Sequence, residues 1–97
     1  MSQQQSDAAA PFIVQQIEDW TVIEFRTPSL MDPIQLEQTA QRLYHLVDEQ
    51  DKRWIIMDFE KVQYISSQAI GIVLTMNKKL TALKNSKLSL IHISEPT

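Results

Sequence analysis

The stretch Trp54–Leu83, WIIMDFEKVQYISSQAIGIVLTMNKKLTAL, reads as strand, tight loop and helix. Ile55, Ile56, Met57 and Phe59 form a short apolar run interrupted only by Asp58, the pattern of a strand buried on both faces. Val62 and Ile65 are placed to pin the loop that follows. At Ser66-Ser67 the apolar period changes from 2 to 3.6, with Ala69, Val73, Met76, Leu80 and Leu83 recurring on one helical face. A serine therefore stands at the mouth of a helix. Serine is a preferred N-cap, because its hydroxyl accepts from an unpaired backbone N–H of the first turn. The same hydroxyl can also be offered to a partner, at a helix end that tolerates added negative charge. Local physics leaves both readings open.

The segments around this unit complete an α/β pattern. Phe12–Glu18 and Trp20–Arg26 read as two strands of a hairpin meeting at Glu18-Asp19, and the second shows strict alternation. Glu-Asp is an unfavourable turn for it, since the tight hairpin turns want residues that accept positive φ. Asp32-Pro33 opens a first helix: Asp caps, Pro sits where its missing N–H costs nothing, and Gln35 is placed to complete a capping box. Leu36, Ala40, Leu43 and Val47 form its buried stripe. Glu37, Gln38, Gln41, Arg42, His45 and Asp48 face water, and Glu49–Arg53 is a charged connection. Lys78, Lys79 and Lys84 complement the C-terminal end of the second helix, Asn85 closes it in the left-handed conformation, and Lys87–Ile93 is a last strand. A strand–helix–strand unit of this kind is parallel. The expected architecture is a small mixed β-sheet, an N-terminal hairpin plus parallel strands, with the helices packed on one face.

The run Asp58-Phe59-x-x-Val62-x-x-Ile65-Ser66-Ser67-x-Ala69-Ile70-Gly71-x-x-Leu74 resembles the signature of STAS domains, the family of the bacterial anti-sigma factor antagonists. The resemblance extends loosely from about Phe12 to Leu90 and is specific between Ile55 and Leu74. It implies that Ser67 is a phosphoacceptor, with Ser66 the alternate, and that Tyr64, Ser66, Gln68 and Gly71 contact a partner. Two positions depart from the family pattern: Ser66 stands where an Asp is usual, and Gln68 where a second serine is usual. The partners implied are a serine-kinase anti-sigma factor, which uses its own ATP, and a serine phosphatase that resets the switch. The domain itself needs no cofactor. The missing Asp points to an alternative, a constitutive STAS-like interaction subunit of a sensory or transporter complex without phosphorylation. STAS domains continue beyond the last strand seen here, so a chain lacking its last helices is expected, with residues from about Leu90 expected not to be native to the gene.

Ninety-seven residues make one domain, which buries about two-thirds of its extended surface. We read residues 1–10 as a disordered tail and 11–97 as the single STAS-like domain. A net charge of −3, with 9 basic and 12 acidic residues, argues against nucleic acid, which favours a basic patch. The absence of cysteine excludes disulfides and thiolate metal sites and fits a reducing compartment. No stretch of about eighteen apolar residues is present and Met1–Ala10 has no leader pattern, so a cytoplasmic protein without membrane insertion is expected.

Chemistry is sparse. His45 and His92 lack metal-ligand companions at recognisable spacing, so no metal site is expected. Asp58 and Glu60, alternating on a strand end, read as pointing apart. Ser67 lies in no G-x-S-x-G elbow and no downstream histidine is placed to activate it. The single glycine, Gly71, reads as a close-packing or contact position within the helix, and no glycine-rich loop cradles a phosphate. Trp20, Trp54 and Tyr64 read as core or rim aromatics before a ligand-stacking set. No enzyme is expected.

Overall fold

In a computed structural model, residues 11–93 are described. The expected tail, residues 1–10, lies outside the described residues. Among the described residues, six strands and two helices follow in order: β1 Phe12–Ile17, β2 Trp20–Phe25, β3 Ser29–Leu30, α1 Pro33–Asp48, β4 Trp54–Asp58, β5 Tyr64–Ile65, α2 Ser67–Thr81 and β6 Lys87–Ile91. The main sheet runs β1-β2-β4-β6, antiparallel between β1 and β2 and parallel thereafter. This is the expected hairpin followed by parallel strands. The hairpin turn, Glu18-Asp19, closes because Glu18 takes φ 54°, which the register Ile17 to Trp20 requires.

Alternation along β2 and β4 puts Thr21, Ile23, Phe25, Ile55 and Met57 on one face, all buried. Both helices cover that face. Leu36, Leu43 and Val47 of α1 and Ala69, Ile72, Met76 and Leu80 of α2 join the strand residues in one core cluster. Burying such side chains contributes about 1.5–3 kcal/mol each. The apolar stripe of α1 is wider than periodicity indicated, since Thr39 and Leu46 are buried too. On α2 the stripe is rotated slightly from the expected one. Ile72 is buried, whereas Val73 and Leu83 pack at its margin. Helix α2 also ends at Thr81, before Leu83, and Asn85 (φ 56°) turns the chain into β6. A salt bridge from Lys79 to Asp48 (2.9 Å) ties α2 to α1 at the surface.

At the start of α1, Asp32 accepts from the Ile34 N–H at 3.0 Å, which satisfies one of the free donors of the first turn. The capping box expected from Gln35 is not among the described contacts.

One polar group in the core is unmet. Thr39 is 3% exposed and its hydroxyl has no hydrogen-bond partner among the described residues. It lines a small apolar pocket with Leu36, Leu43, Met57 and Ile72. An unpaired buried hydroxyl costs about 1–3 kcal/mol. Thr39→Val is therefore expected to raise stability by about 1 kcal/mol, read as a higher urea midpoint at unchanged slope. A lower midpoint would show that the hydroxyl is paired in solution.

Candidate functional site

The loop between β4 and α2 is held by its backbone. Phe59 and Val62 are buried beneath it, and the Val62 N–H donates to the Phe59 carbonyl (3.0 Å). The Gln63 and Tyr64 N–H groups both donate to the Pro28 carbonyl (2.7 and 3.0 Å), and β5 then pairs in parallel with β3. Ile65, expected with Val62 to pin the loop, is 41% exposed. It pins the loop through this strand pair. The two-residue strands carry no periodic signal, which is why the sequence reading missed them.

This frame delivers Ser66 to the N-cap of α2 with every backbone group engaged. Its N–H donates to the Leu30 carbonyl (3.1 Å) and its carbonyl accepts from the Ile70 N–H (3.0 Å). Its hydroxyl accepts from the Ala69 N–H at 3.2 Å. Ser67 is the first helical residue and is exposed, with no side-chain hydrogen bond among the described residues. Two adjacent serines thus have separate places: Ser66 closes the helix, and Ser67 presents its hydroxyl where the first-turn N–H groups and the macrodipole favour negative charge. Ser66→Ala is accordingly expected to cost about 1 kcal/mol, as for a lost cap, measurable as a lower melting temperature. No loss on that substitution would remove Ser66 from the capping role.

The other expected contact residues lie at the same corner. Tyr64 in β5 is 63% exposed, Gln68 is exposed, and Gly71 is half-buried one turn along α2. The Gln68 amide donates to the Pro33 carbonyl at 3.2 Å, joining the starts of the two helices. That link was not legible in sequence, because the residues are 35 positions apart. Several large apolar side chains at the start of α1 and along α2 face water: Met31, Ile34, Ile70 and Leu74. Trp20 and Trp54 pack edge to face (centroids 5.1 Å) at the N-terminal ends of β2 and β4, so they form no set with Tyr64, which follows the C-terminal end of β4.

Asp58 and Glu60 do not point apart as expected. Strand β4 ends at Asp58, and the chain turns so that the Glu60 N–H donates to the Asp58 carboxylate (3.0 Å). The His92 ring meets the same carboxylate, Nδ1 to Oδ1 at 3.0 Å, so His92 is not the isolated histidine expected, and the three side chains fall within 4.8 Å. Partial burial pushes the Asp58 carboxyl up, but the His92 and Glu60 hydrogen bonds and the nearby positive charges outweigh it and hold the group below its ordinary 3.8. The hydrogen bond to Asp58 raises His92 above 6.5 against a small opposing desolvation. The lowered carboxyl stabilises the fold above its unfolded value and loses this as pH falls through the depressed one. The raised histidine stabilises below its unfolded value and loses this as pH rises through the elevated one. The melting-temperature gap between wild type and His92→Ala should therefore be widest between about pH 4 and 6.5 and close towards pH 9. A gap that grows in alkali would contradict the pairing.

No protein-family model matches the chain, and no curated protein matches it. Solved structures do. The unphosphorylated form of the anti-sigma factor antagonist SpoIIAA superposes with a TM-score of 0.72 over 87% of this chain and 74% of its own, at 21% identity. The fold is a STAS fold. The phosphorylated form of SpoIIAA from Bacillus gives 0.62 over 73% of this chain at 24% identity, and this chain spans 63% of its length. A Thermotoga maritima protein described as a candidate anti-sigma factor antagonist gives 0.67 at 14% identity, over 90% of this chain and 72% of that one. No helix among the described residues is long and apolar enough to cross a membrane.

Proposed function

We propose that the chain is a regulatory interaction module of the anti-sigma factor antagonist kind, switched by phosphorylation of Ser67. The observation that carries this reading is the division of labour at the start of α2. Ser66 holds the cap, and Ser67 is left exposed and unbonded. A hydroxyl already used as a cap would have to abandon a helix end to react, whereas Ser67 can be modified without unfolding anything. In the transfer, the Ser67 oxygen bonds to the γ-phosphorus of the kinase partner's ATP, ADP departs, and the serine proton passes to a base on the kinase.

The switch follows from charge. Phosphate adds about −1.5 to −2 at a helix N-terminus that accommodates it, so the fold survives. The exposed apolar surface of Met31, Ile34, Tyr64, Ile70 and Leu74 suits docking of the unmodified form. A dianion in the middle of that surface costs desolvation when a partner covers it, and so releases the complex. A serine phosphatase would restore the binding form. The test is transfer of radiolabelled phosphate from ATP by a serine-kinase anti-sigma factor of the same genome, with the labelled residue located by mass spectrometry. Label on Ser67 is the expected result. Stable binding of the kinase with no label on Ser66 or Ser67 would instead support the constitutive interaction subunit.

A further inference from the structure

Strand β1 is an edge of the main sheet, and its sequence does nothing to protect that edge. Edge strands are ordinarily blunted by a charge, a proline or a bulge, because their outward backbone groups are a template for another strand. Phe12–Ile17, FIVQQI, has none of these. It runs six residues without charge or proline, and its register with β2 is unbroken from Phe12 opposite Phe25 to Ile17 opposite Trp20. Which backbone groups are left over follows from one bond. The Arg26 N–H donates to the Pro11 carbonyl at 2.6 Å, and bonded positions alternate along an antiparallel pair. Ile13, Gln15 and Ile17 therefore bond to β2, while Phe12, Val14 and Gln16 turn their N–H and C=O groups away from the sheet.

Phe12 and Val14 stand opposite Phe25 and Ile23, on the face that the helices cover, so the open edge leads to α1. There a groove of about 320 Å³ runs between β1 and α1, a volume typical of ligand clefts. Phe12, Val14 and Leu46 give it an apolar floor, and the exposed Gln41, Arg42 and His45 stand over it. The Arg42 guanidinium lies 5.4 Å from the centre of the Phe12 ring. No carboxylate lines the groove among the described residues, in a chain with 12 acidic residues and a net charge of −3. We infer that this edge captures an extended peptide, which adds a strand to β1 and turns one acidic side chain into the groove to meet Arg42 and His45. Two independent features select that ligand. The outward backbone groups of β1 select an extended form, since main-chain bonds hold an added strand whatever its sequence. The groove selects a residue type. A side chain opposite Val14 on the added strand shares the face of Val14 and stands towards α1, where a guanidinium can donate two hydrogen bonds to a carboxylate. The site shares no residue with the Ser67 corner, so it is a second recognition surface of the chain.

The experiment selects from a random peptide library displayed on phage against the full 97-residue chain, and measures the enriched peptides as synthetic ligands by fluorescence anisotropy. The expected selection is an alternation of apolar residues with one Asp or Glu at a fixed place. Methylating the amide nitrogens of alternate peptide residues should abolish binding in one phase of the alternation and spare it in the other. Val14→Pro, which removes an N–H that β2 does not use, should melt within about 5 °C of wild type and bind at least about tenfold more weakly. Arg42→Glu should lose the acidic peptides and select Lys or Arg at the same place. Enriched peptides without an acid, an unchanged selection in Arg42→Glu, or methylation without effect in either phase overturns the inference. A wild-type chain that enriches no peptide also overturns it. A dimer that is lost in Val14→Pro then makes a second copy the occupant of the edge, and peptide capture gained by Asp7→Asn makes it residues 1–10.

Discussion

Phosphate incorporation by a serine-kinase partner is expected to fall to background in Ser67→Ala and to persist in Ser66→Ala. The reason is local. Ser66 spends its hydroxyl on the Ala69 N–H and its two backbone groups on Leu30 and Ile70, while Ser67 has no such commitments. Ser67→Ala should therefore leave the melting temperature within a degree or two and still bind the partner. Ser67→Asp and Ser67→Glu should fold as well, because a carboxylate at the first helical position sits favourably in the helix dipole, by about 0.3–1 kcal/mol. Their binding should nonetheless weaken, since the same charge is desolvated when an apolar partner surface closes over Ile70 and Leu74. A carboxylate carries about half of phosphate's charge, so a partial loss is expected. Label retained by Ser67→Ala at the wild-type rate would sink the assignment. Equal binding by wild type, Ser67→Asp and Ser67→Glu would move the protein to the constitutive class.

Much of this architecture is written locally. The change of period at Ser66-Ser67, the apolar run of β4 and the Asp32-Pro33 start each report a feature decided by neighbours in sequence, and each stands where expected. The failures share a cause. The β3–β5 pair, the Gln68–Pro33 link and the Asp58–His92 contact join residues 34 or 35 positions apart, and no short-range period carries such information. Ile72 in place of Val73 on the buried stripe is a subtler case. Both are apolar and adjacent, so the pattern cannot choose between them, and the direction in which α2 lies on the sheet decides. Asp58 and Glu60 were misjudged because residues two apart on a strand share a face, so period 2 brings them together, and the turn after Asp58 adds the bond from the Glu60 N–H.

The candidate site was legible in part. Sequence placed two serines at a helix mouth, and the STAS resemblance distinguished Ser67 from Ser66. Only geometry shows that the two hydroxyls differ in commitment. Only geometry, too, ties the start of α1 to the start of α2, through the Gln68 amide on the Pro33 carbonyl, and shows that Met31, Ile34, Tyr64, Ile70 and Leu74 are exposed.

The remaining large effect concerns the strand that carries the loop. Met57 is fully buried in the middle of β4, hydrogen-bonded between β2 and β6 and packed in the core under both helices. Met57→Ala removes buried methylene and sulfur atoms beside the pocket already lined by Thr39 and Leu43, so the enlarged void has a poor chance of collapsing. The expected cost is about 2–5 kcal/mol, against a total of roughly 5–15 kcal/mol for a domain of ordinary stability. At about 4–8 °C per kcal/mol, the melting temperature should fall by more than about 8 °C. The strand ends at Asp58, eight residues before the Ser66 cap, and Phe59 and Val62 anchor the intervening loop to the same core. Loosening β4 should therefore disorder the Ser67 corner before it disturbs the β1–β2 hairpin. Amide hydrogen exchange in Met57→Ala should show protection lost at Ala69 and Ile70 ahead of Gln15 and Val22. The contrast is Leu74→Ala, on the exposed side of α2, which should change stability by no more than about 0.5 kcal/mol while reducing partner binding. Comparable destabilisation by Met57→Ala and Leu74→Ala would mean that Leu74 is covered in solution, and the surface assigned to docking would have to be placed elsewhere.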